Sequence, residues 1–351
     1  MLALQLDAVR QPATVREIPT PEPGPGQVLV RLRAAALNHR DVWIQKGQYA
    51  GIQLPCTLGA DGSGEVAAVG EGISNWQPGA GVIIYPGVDW GDSEHTMGRN
   101  FRVRGMPDPG TFAEYAVVEA HYLRSKPDFL SWEQAAALPL AGLTAYRAAF
   151  TRANVQPGER VLVAGIGGGV ALTAAQLCAA RGAEVWATSG DDDKLHRVQE
   201  MGIGVKGGIN YRTDQWVKAL IQQAGGPFDV IIESAGGDAY AALIDAAAPS
   251  GRIVSYGGTL GPINNLVPGK VFWKQLSLLG SSMGSYQDFD HLLQLVQDKQ
   301  LVPVVDKVFS LAEGEQALRY LEAGQQLGKV VLSIDSTAPG GPEGAADAGA
   351  E

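Results

Sequence analysis

The stretch 160-RVLVAGIGGGVALTAAQLCAARGAEVWATS-189 decides the fold. An apolar run, 160-RVLVAG-165, passes at once into a cluster of glycines, and an Ala/Leu-rich helical pattern follows over 170–182. A second apolar run, 184-EVWATS-189, closes the unit. Strand, glycine turn, helix and strand in this order make a βαβ unit. Its helix N-terminus offers free N–H groups and a positive dipole to an anion. Gly165, Gly167, Gly168 and Gly169 let the backbone come close to a pyrophosphate, and Val170 opens the helix. An ordinary tight turn is the competing reading; the flanking strands and their spacing count against it.

Downstream the alternation continues to about residue 284. Strand candidates are 229-DVIIES-234, 252-RIVSYG-257 and 277-SLLGSS-282, and helical patterns cover 193–202, 214–226 and 238–251. Near-continuous apolar strands between helices predict an α/β fold with a doubly wound parallel sheet. Upstream, 28-VLVRLRAAAL-37, 65-EVAAVG-70 and 81-GVIIYP-86 are short strands broken by Gly and Pro, which predicts a compact antiparallel β unit. The segment 131–150 reads as a helix capped by Ser131. The last residues, 336–351, lack large apolar side chains and are expected to be a disordered tail.

At 351 residues there is room for two domains, and 45% hydrophobic residues can fill two cores. A net charge of −10 disfavours nucleic acid or an anionic membrane as partner. Cys56 and Cys178 are the only cysteines, too few for a disulfide framework or a Cys-rich zinc site. The first residues carry no basic, then apolar, leader pattern, and no apolar run is long enough to span a bilayer, so a cytoplasmic location is expected.

The end of the second strand bears on which dinucleotide fits. NAD sites usually place an acid there for the ribose 2′-hydroxyl. Here Ser189 ends the strand and Lys194 follows; with Tyr211 and Arg212 from the third βα unit they could accept a 2′-phosphate. Asp191, Asp192 and Asp193 argue the other way unless they form the first turn of a helix, where acids are favoured. NADPH is the expected cofactor, with NADH kept open.

Further segments, 37-LNHRDVWIQKG-47, 58-LGADGSGEVAAVGEG-72, 110-GTFAEYAVV-118, 135-AAALPLAGLTAY-146 and 278-LLGSSMGS-285, join the glycine run in a pattern that spans nearly the whole chain. It resembles the medium-chain dehydrogenase/reductase superfamily, on its zinc-independent quinone oxidoreductase and zinc-type alcohol dehydrogenase-like side. The resemblance implies a GroES-like catalytic domain over 1–122, completed by 285–335, and a Rossmann domain over 123–284, with the active site in the cleft between them. It also implies a homodimer or homotetramer acting on a small-molecule substrate. One departure is Ala171, where relatives usually have Gly; Ala is still small enough for close helix–strand packing.

Zinc-dependent relatives place a Cys at the position matching Asn38, a His–Glu pair at Ala60-Asp61 and a further Cys at about Leu140. Asn38, Ala60 and Leu140 do not make a zinc site, which needs three Cys, His or acidic ligands. Asp92, Glu94 and His95 read as a solvated turn, and His39 and Arg40 as structural residues. The expectation is therefore a metal-free enzyme.

By the same resemblance, Tyr49 follows Asn38 in the spacing N-x-x-D-x-x-x-x-x-G-x-Y seen in metal-free enoyl reductases, where the tyrosine donates a proton. Asn38 would hydrogen-bond in the nicotinamide pocket, and Asp41 would brace its loop. Trp43 would shape the pocket, while Thr144 and Tyr146 could meet the cofactor. Gly236, Gly257 and Met283 lie at the carboxyl ends of parallel strands, where the crevice forms. The expected reaction is hydride transfer from NADPH to a quinone or an α,β-unsaturated carbonyl. The rivals are a zinc alcohol dehydrogenase with unusual ligands and a non-catalytic NADPH-binding protein.

Overall fold

A computed structural model describes residues 1–334. The tail expected over 336–351 lies outside the described residues. Two sheets organise the chain. The first has the strand order Leu123–Ser125, Gly81–Ile84, Asp61–Val69, Gln27–Ala36, Lys329–Ser333, Val305–Ser310, with Tyr115–Glu119 also paired to Gln27–Ala36. It is antiparallel except where Val305–Ser310 runs parallel to Lys329–Ser333. The chain leaves this sheet after Ser125 and returns to it near the end.

The second sheet is parallel throughout, in the order Val205–Asn210, Glu184–Ser189, Arg160–Val163, Phe228–Glu233, Ala247–Ser255, Ser277–Gly280. Strand order reverses beside Arg160–Val163, which opens a crevice at the carboxyl ends there. Val161, Val163, Val230 and Ile232 are wholly buried.

The helices, in chain order, are α1 (His39–Gln45), α2 (Trp132–Ala137), α3 (Pro139–Tyr146), α4 (Gly169–Ala180), α5 (Asp192–Glu200), α6 (Trp216–Ala224), α7 (Tyr240–Ala246), α8 (Pro268–Trp273), α9 (Tyr286–Lys299) and α10 (Gly314–Glu322). No described helix is long and apolar enough to cross a membrane.

Three details differ from the pattern reading. The helix expected over 131–150 is broken, because Pro139 cannot donate to the preceding turn; α2, capped by Ser131 onto Gln134 N, stops and α3 restarts. The helix expected over 238–251 ends at Ala246, and Ala247 is already extended. Ala248 precedes Pro249, a position biased away from helical backbone. The parallel sheet also has a strand, Val205–Asn210, that periodicity did not mark. Its Gly207 and Gly208 are poor strand formers. Gly207 is required by its neighbour: a Cβ there would stand 2.5 Å from the Trp186 ring.

Candidate active site

A cleft of about 800 Å³ lies between the two sheets. Its cofactor side is the glycine turn. Gly165 and Gly167 take φ of 71° and 153°, conformations that L side chains rarely adopt. The turn is tied back by Gly165 N to Thr188 Oγ1 (3.1 Å) and Ile166 N to Thr188 O (2.7 Å). Gly168 is the N-cap of α4 and supplies no side-chain acceptor, so among the described residues no side chain caps the first N–H groups of the helix, which face an anion site. A Cβ on Gly168 would meet nothing within 4 Å. This open cradle fits a dinucleotide pyrophosphate. Ala171 is buried in the helix–strand contact, as its small size permits.

Of the residues expected at the cofactor, Thr144, Gly165, Gly168, Gly169, Val170, Gly257 and Met283 line the cleft. Gly236 sits just behind, its N–H donated to Glu233 Oε2 at 3.0 Å. Gly167 faces the stem of Lys194, where an added Cβ would stand 3.6 Å from Lys194 Cδ. Lys194 does not stand free: its Nζ donates to the carbonyls of Gly324 (2.8 Å) and Gln326 (3.1 Å). Ser189 is buried at its strand end and accepts from Asp191 N at 3.1 Å. Around the adjacent Gly190, the Tyr211 hydroxyl and Arg212 Nε come within 2.6 Å and 3.0 Å of where a Cβ would stand. Asp191 caps α5 by accepting from Asp193 N and Lys194 N, and Asp192 accepts from Asn210 Nδ2. These acids form the first turn of a helix.

The other side of the cleft is built on α1. Asn38 is its N-cap, and Asp41 Oδ2 accepts the Asn38 N–H at 2.8 Å. Asp41 is fully buried, and that burial pushes its carboxyl up to about 6 despite Arg40 beside it at 3.7 Å. The Asn38 amide is engaged on every side. Nδ2 donates to Asp61 Oδ2 (2.9 Å) and to Ala36 O (3.4 Å), and Oδ1 accepts from Lys329 Nζ at 2.7 Å. Lys329 Nζ also donates to Leu37 O (2.7 Å) and Asp61 Oδ2 (3.1 Å). Asp61 Oδ1 accepts from Leu140 N, in the first turn of α3.

Sequence reasoning missed Lys329. It lies 268 residues from Asp61, and a lysine before the apolar run 330-VVL-332 ordinarily marks an exposed strand end. The Gly-Lys pair at the mouth of a buried strand was the available signal.

Tyr49 lines the cleft, half buried. Arg40 Nε donates to its hydroxyl at 3.5 Å, and the guanidinium lies 5.0 Å from its ring. Arg40 also donates to the carbonyls of Arg104 (2.7 Å), Val103 and Met106. His39 and Arg40, which the sequence reading set aside, therefore both line the cleft. Desolvation lowers the His39 pKa, and the nearby Lys329 charge lowers it further. Trp43, Met97, Phe101, Met106, Pro107 and Leu140 give this side an apolar face.

The loop carrying Met97 and Phe101 is held by an arginine. Arg147 donates to the carbonyls of Glu94 (3.0 Å) and His95 (2.7 Å) and to Asp288 (2.5 Å), and stacks on Trp90 at 4.9 Å. The Asp92, Glu94 and His95 residues are exposed. Ala60 is buried and cannot ligate, and Leu140 offers only its backbone. Among the described residues no three His, Cys, Asp or Glu side chains are grouped to hold a metal ion. The donor set does not fit a catalytic zinc.

Comparison with known proteins agrees with this architecture. Residues 24–128 match the alcohol dehydrogenase GroES-like domain family, and residues 169–298 match the zinc-binding dehydrogenase family. The zinc-type alcohol dehydrogenase-like protein YogA of Leptosphaeria maculans is 32% identical over 348 residues, covering 93% of this chain and 96% of the relative. A quinone oxidoreductase of Pseudomonas aeruginosa is 29% identical, covering 90% of this chain and 94% of the relative. The crystal structure of an NAD-dependent alcohol dehydrogenase superposes with a TM-score of 0.90 at 39% identity, covering 95% of this chain and all of the other. The chain is an NAD(P)-dependent oxidoreductase and belongs to the medium-chain dehydrogenase/reductase superfamily.

Proposed function

We propose that this enzyme reduces quinones or α,β-unsaturated carbonyls with NADPH and without a metal. The observation that carries the reading is the apolar cleft in which the metal positions are Asn38, Ala60 and Leu140 while Tyr49 presents a hydroxyl to the same space. When bound, NADPH supplies the hydride. The glycine turn and the free N–H groups of α4 hold the pyrophosphate. Trp43, Met97, Phe101 and Leu140 exclude water around an apolar acceptor. Tyr49 gives its hydroxyl proton to the α-carbon as the β-carbon is reduced. Arg40, donating to the tyrosine oxygen, faces the negative charge left there. Asn38 acts through the cap of α1, with Asp41 bracing it.

NADPH is favoured over NADH by Ser189, Tyr211 and Arg212 around Gly190, by the engagement of Asp191 as the cap of α5, and by that of Asp192 as the acceptor for Asn210 Nδ2. We take 1–122 with the return segment 285–335 as the catalytic domain and 123–284 as the dinucleotide-binding domain. We also propose a homodimer. Among the described residues the strand Ser277–Gly280 pairs on one side only, and in the segment that leads into it Leu260, Val267, Phe272 and Trp273 expose 54–82% of their surface. Trp273→Asp should yield a monomer by sedimentation analysis.

The direct test is NADPH oxidation against quinones, enones and enoyl thioesters, set beside NADP-driven alcohol oxidation. Turnover confined to alcohols would overturn the reading. Tyr49→Phe should lower enone turnover by about 100-fold, the usual weight of a general acid; unchanged turnover removes Tyr49 from the chemistry. Ser189→Asp should move the preference towards NADH by about tenfold or more, since a carboxylate repels the 2′-phosphate.

A further inference from the structure

We propose that Lys329 is a positioning residue: a resident ammonium that does here, by hydrogen bonds, the joining that a metal would do, and that locks the substrate wall to the cofactor cradle. Its three N–H bonds are all spent, on Leu37 O, Asn38 Oδ1 and Asp61 Oδ2. It therefore has no donor left for a substrate, and its role is to hold other groups.

What it holds is specific. The Lys329 stem runs directly over Gly169, the first residue of α4, where a Cβ would stand 2.5 Å from Lys329 Cδ and 3.0 Å from Cγ. Gly328 N, next to it, donates to Gly167 O at 2.9 Å. So one end of the residue lies against the phosphate cradle. The other end fixes Asn38, the cap of the helix that carries His39, Arg40 and Trp43 into the cleft. Asp61, its counterion, takes Leu140 N at the start of α3, which brings Thr144 to the same space. A single buried ion pair, 5% and 0% exposed, thus sets α1, α3 and α4 relative to one another.

The same pair closes the site to zinc. The oxygens are one carboxylate, one amide and one carbonyl, and a cation already satisfies them. A dication would gain one negative charge and no imidazole or thiolate.

The experiment uses the full chain with Lys329→Ala, whose lost stem leaves room for a small amine, and with Lys329→Arg. Three readouts are taken: affinity for NADPH alone by fluorescence titration, kcat with whichever acceptor the panel identifies, and zinc content of the purified protein. Lys329→Ala should lose about tenfold in NADPH affinity and about 100-fold in kcat, as misplacement of reacting groups by an ångström does. Propylammonium should restore a large part of both losses, and added zinc should restore neither. Wild-type affinity and kcat in Lys329→Ala, rescue by zinc in place of the amine, or stoichiometric zinc in the wild type would each overturn the proposal.

If Lys329→Ala does not fold, the paired variant Asp61→Asn with Lys329→Met removes both charges together. A folded pair with wild-type affinity and kcat overturns the proposal, and a folded pair impaired in both supports it. The inference stands apart from the reductase reading. Failure of every quinone and enone would defeat that reading, while the affinity, amine-rescue and zinc arms would still decide this one.

Discussion

On one side of the cleft, the glycine turn and α4 come from a single run of residues, and Thr188 from the next strand ties them down. On the other, Asn38, Asp61, Leu140 and Lys329 come from four separate parts of the chain and meet through one buried ion pair. The first wall is fixed by backbone conformation and close approach, so it should be sensitive to added volume. The second is fixed by charge, so it should be sensitive to the loss of one partner. A cleft made this way combines a cradle that forms locally with a wall that forms only when the chain has returned to the first sheet.

The largest expected effect breaks the second wall. Asp61→Ala leaves the Lys329 ammonium buried beside Asn38 without its ion-pair partner. Removing one member of a buried pair costs about 3–5 kcal/mol, because the other charge stays uncompensated. Urea unfolding of Asp61→Ala should show a loss of that size, and Asp61→Ala with Lys329→Met should recover much of it. A loss below about 1 kcal/mol, the range of surface pairs, would mean that charge does not hold this wall.

Next in size is a contrast within the first wall. A Cβ at Gly169 collides with the Lys329 stem, which both of its ends hold in place, whereas one at Gly168 meets nothing within 4 Å. Gly169→Val should therefore destabilise the protein by about 1–3 kcal/mol as an overpacked site. Gly168→Ala, at a φ of −80°, should unfold within about 0.5 kcal/mol of wild type and yet bind NADPH more weakly, since its openness serves the ligand. Equal unfolding free energies for the two variants would erase the distinction between a glycine needed by the protein and one needed by the cofactor.

This contrast also explains what could be read from the chain in advance. The parallel sheet, the glycine turn and most of the residues that line this side of the cleft were legible because strand, turn and helix follow each other within about thirty residues, each with its own periodicity. The strand Val205–Asn210 was not, because Gly207 clears the Trp186 ring and Gly208 clears Ala187 O and Leu195, and neither favours extended backbone. Tyr49 and Asn38 were visible as a motif, but the saturation of the Asn38 amide was not, since both of its strongest partners lie far along the chain. His39 and Arg40 looked structural when judged only by missing metal partners. Their place in the cleft follows from α1 being anchored at Asn38, which turns the first residues of that helix inward.

The smallest expected effect concerns Asp41, which supports the charge-held wall from behind. A free aspartate titrates near ~3.9. In the fold, desolvation by burial raises this carboxyl to about 6, while Arg40 and the Asn38 N–H pull it down. Its Oδ1 has no hydrogen-bond partner among the described residues. The folded protein therefore binds this proton more tightly than the unfolded chain does. The stability that this preference contributes is fully present below about pH 4, and is lost as pH rises through about 6. Asp41→Asn keeps an oxygen that can accept the Asn38 N–H but cannot titrate. Thermal unfolding at pH 5 and at pH 7.5 should show the variant gaining on the wild type at the higher pH. An equal difference at both values would place the titrating proton elsewhere, and would leave Asp41 as a cap held by geometry alone.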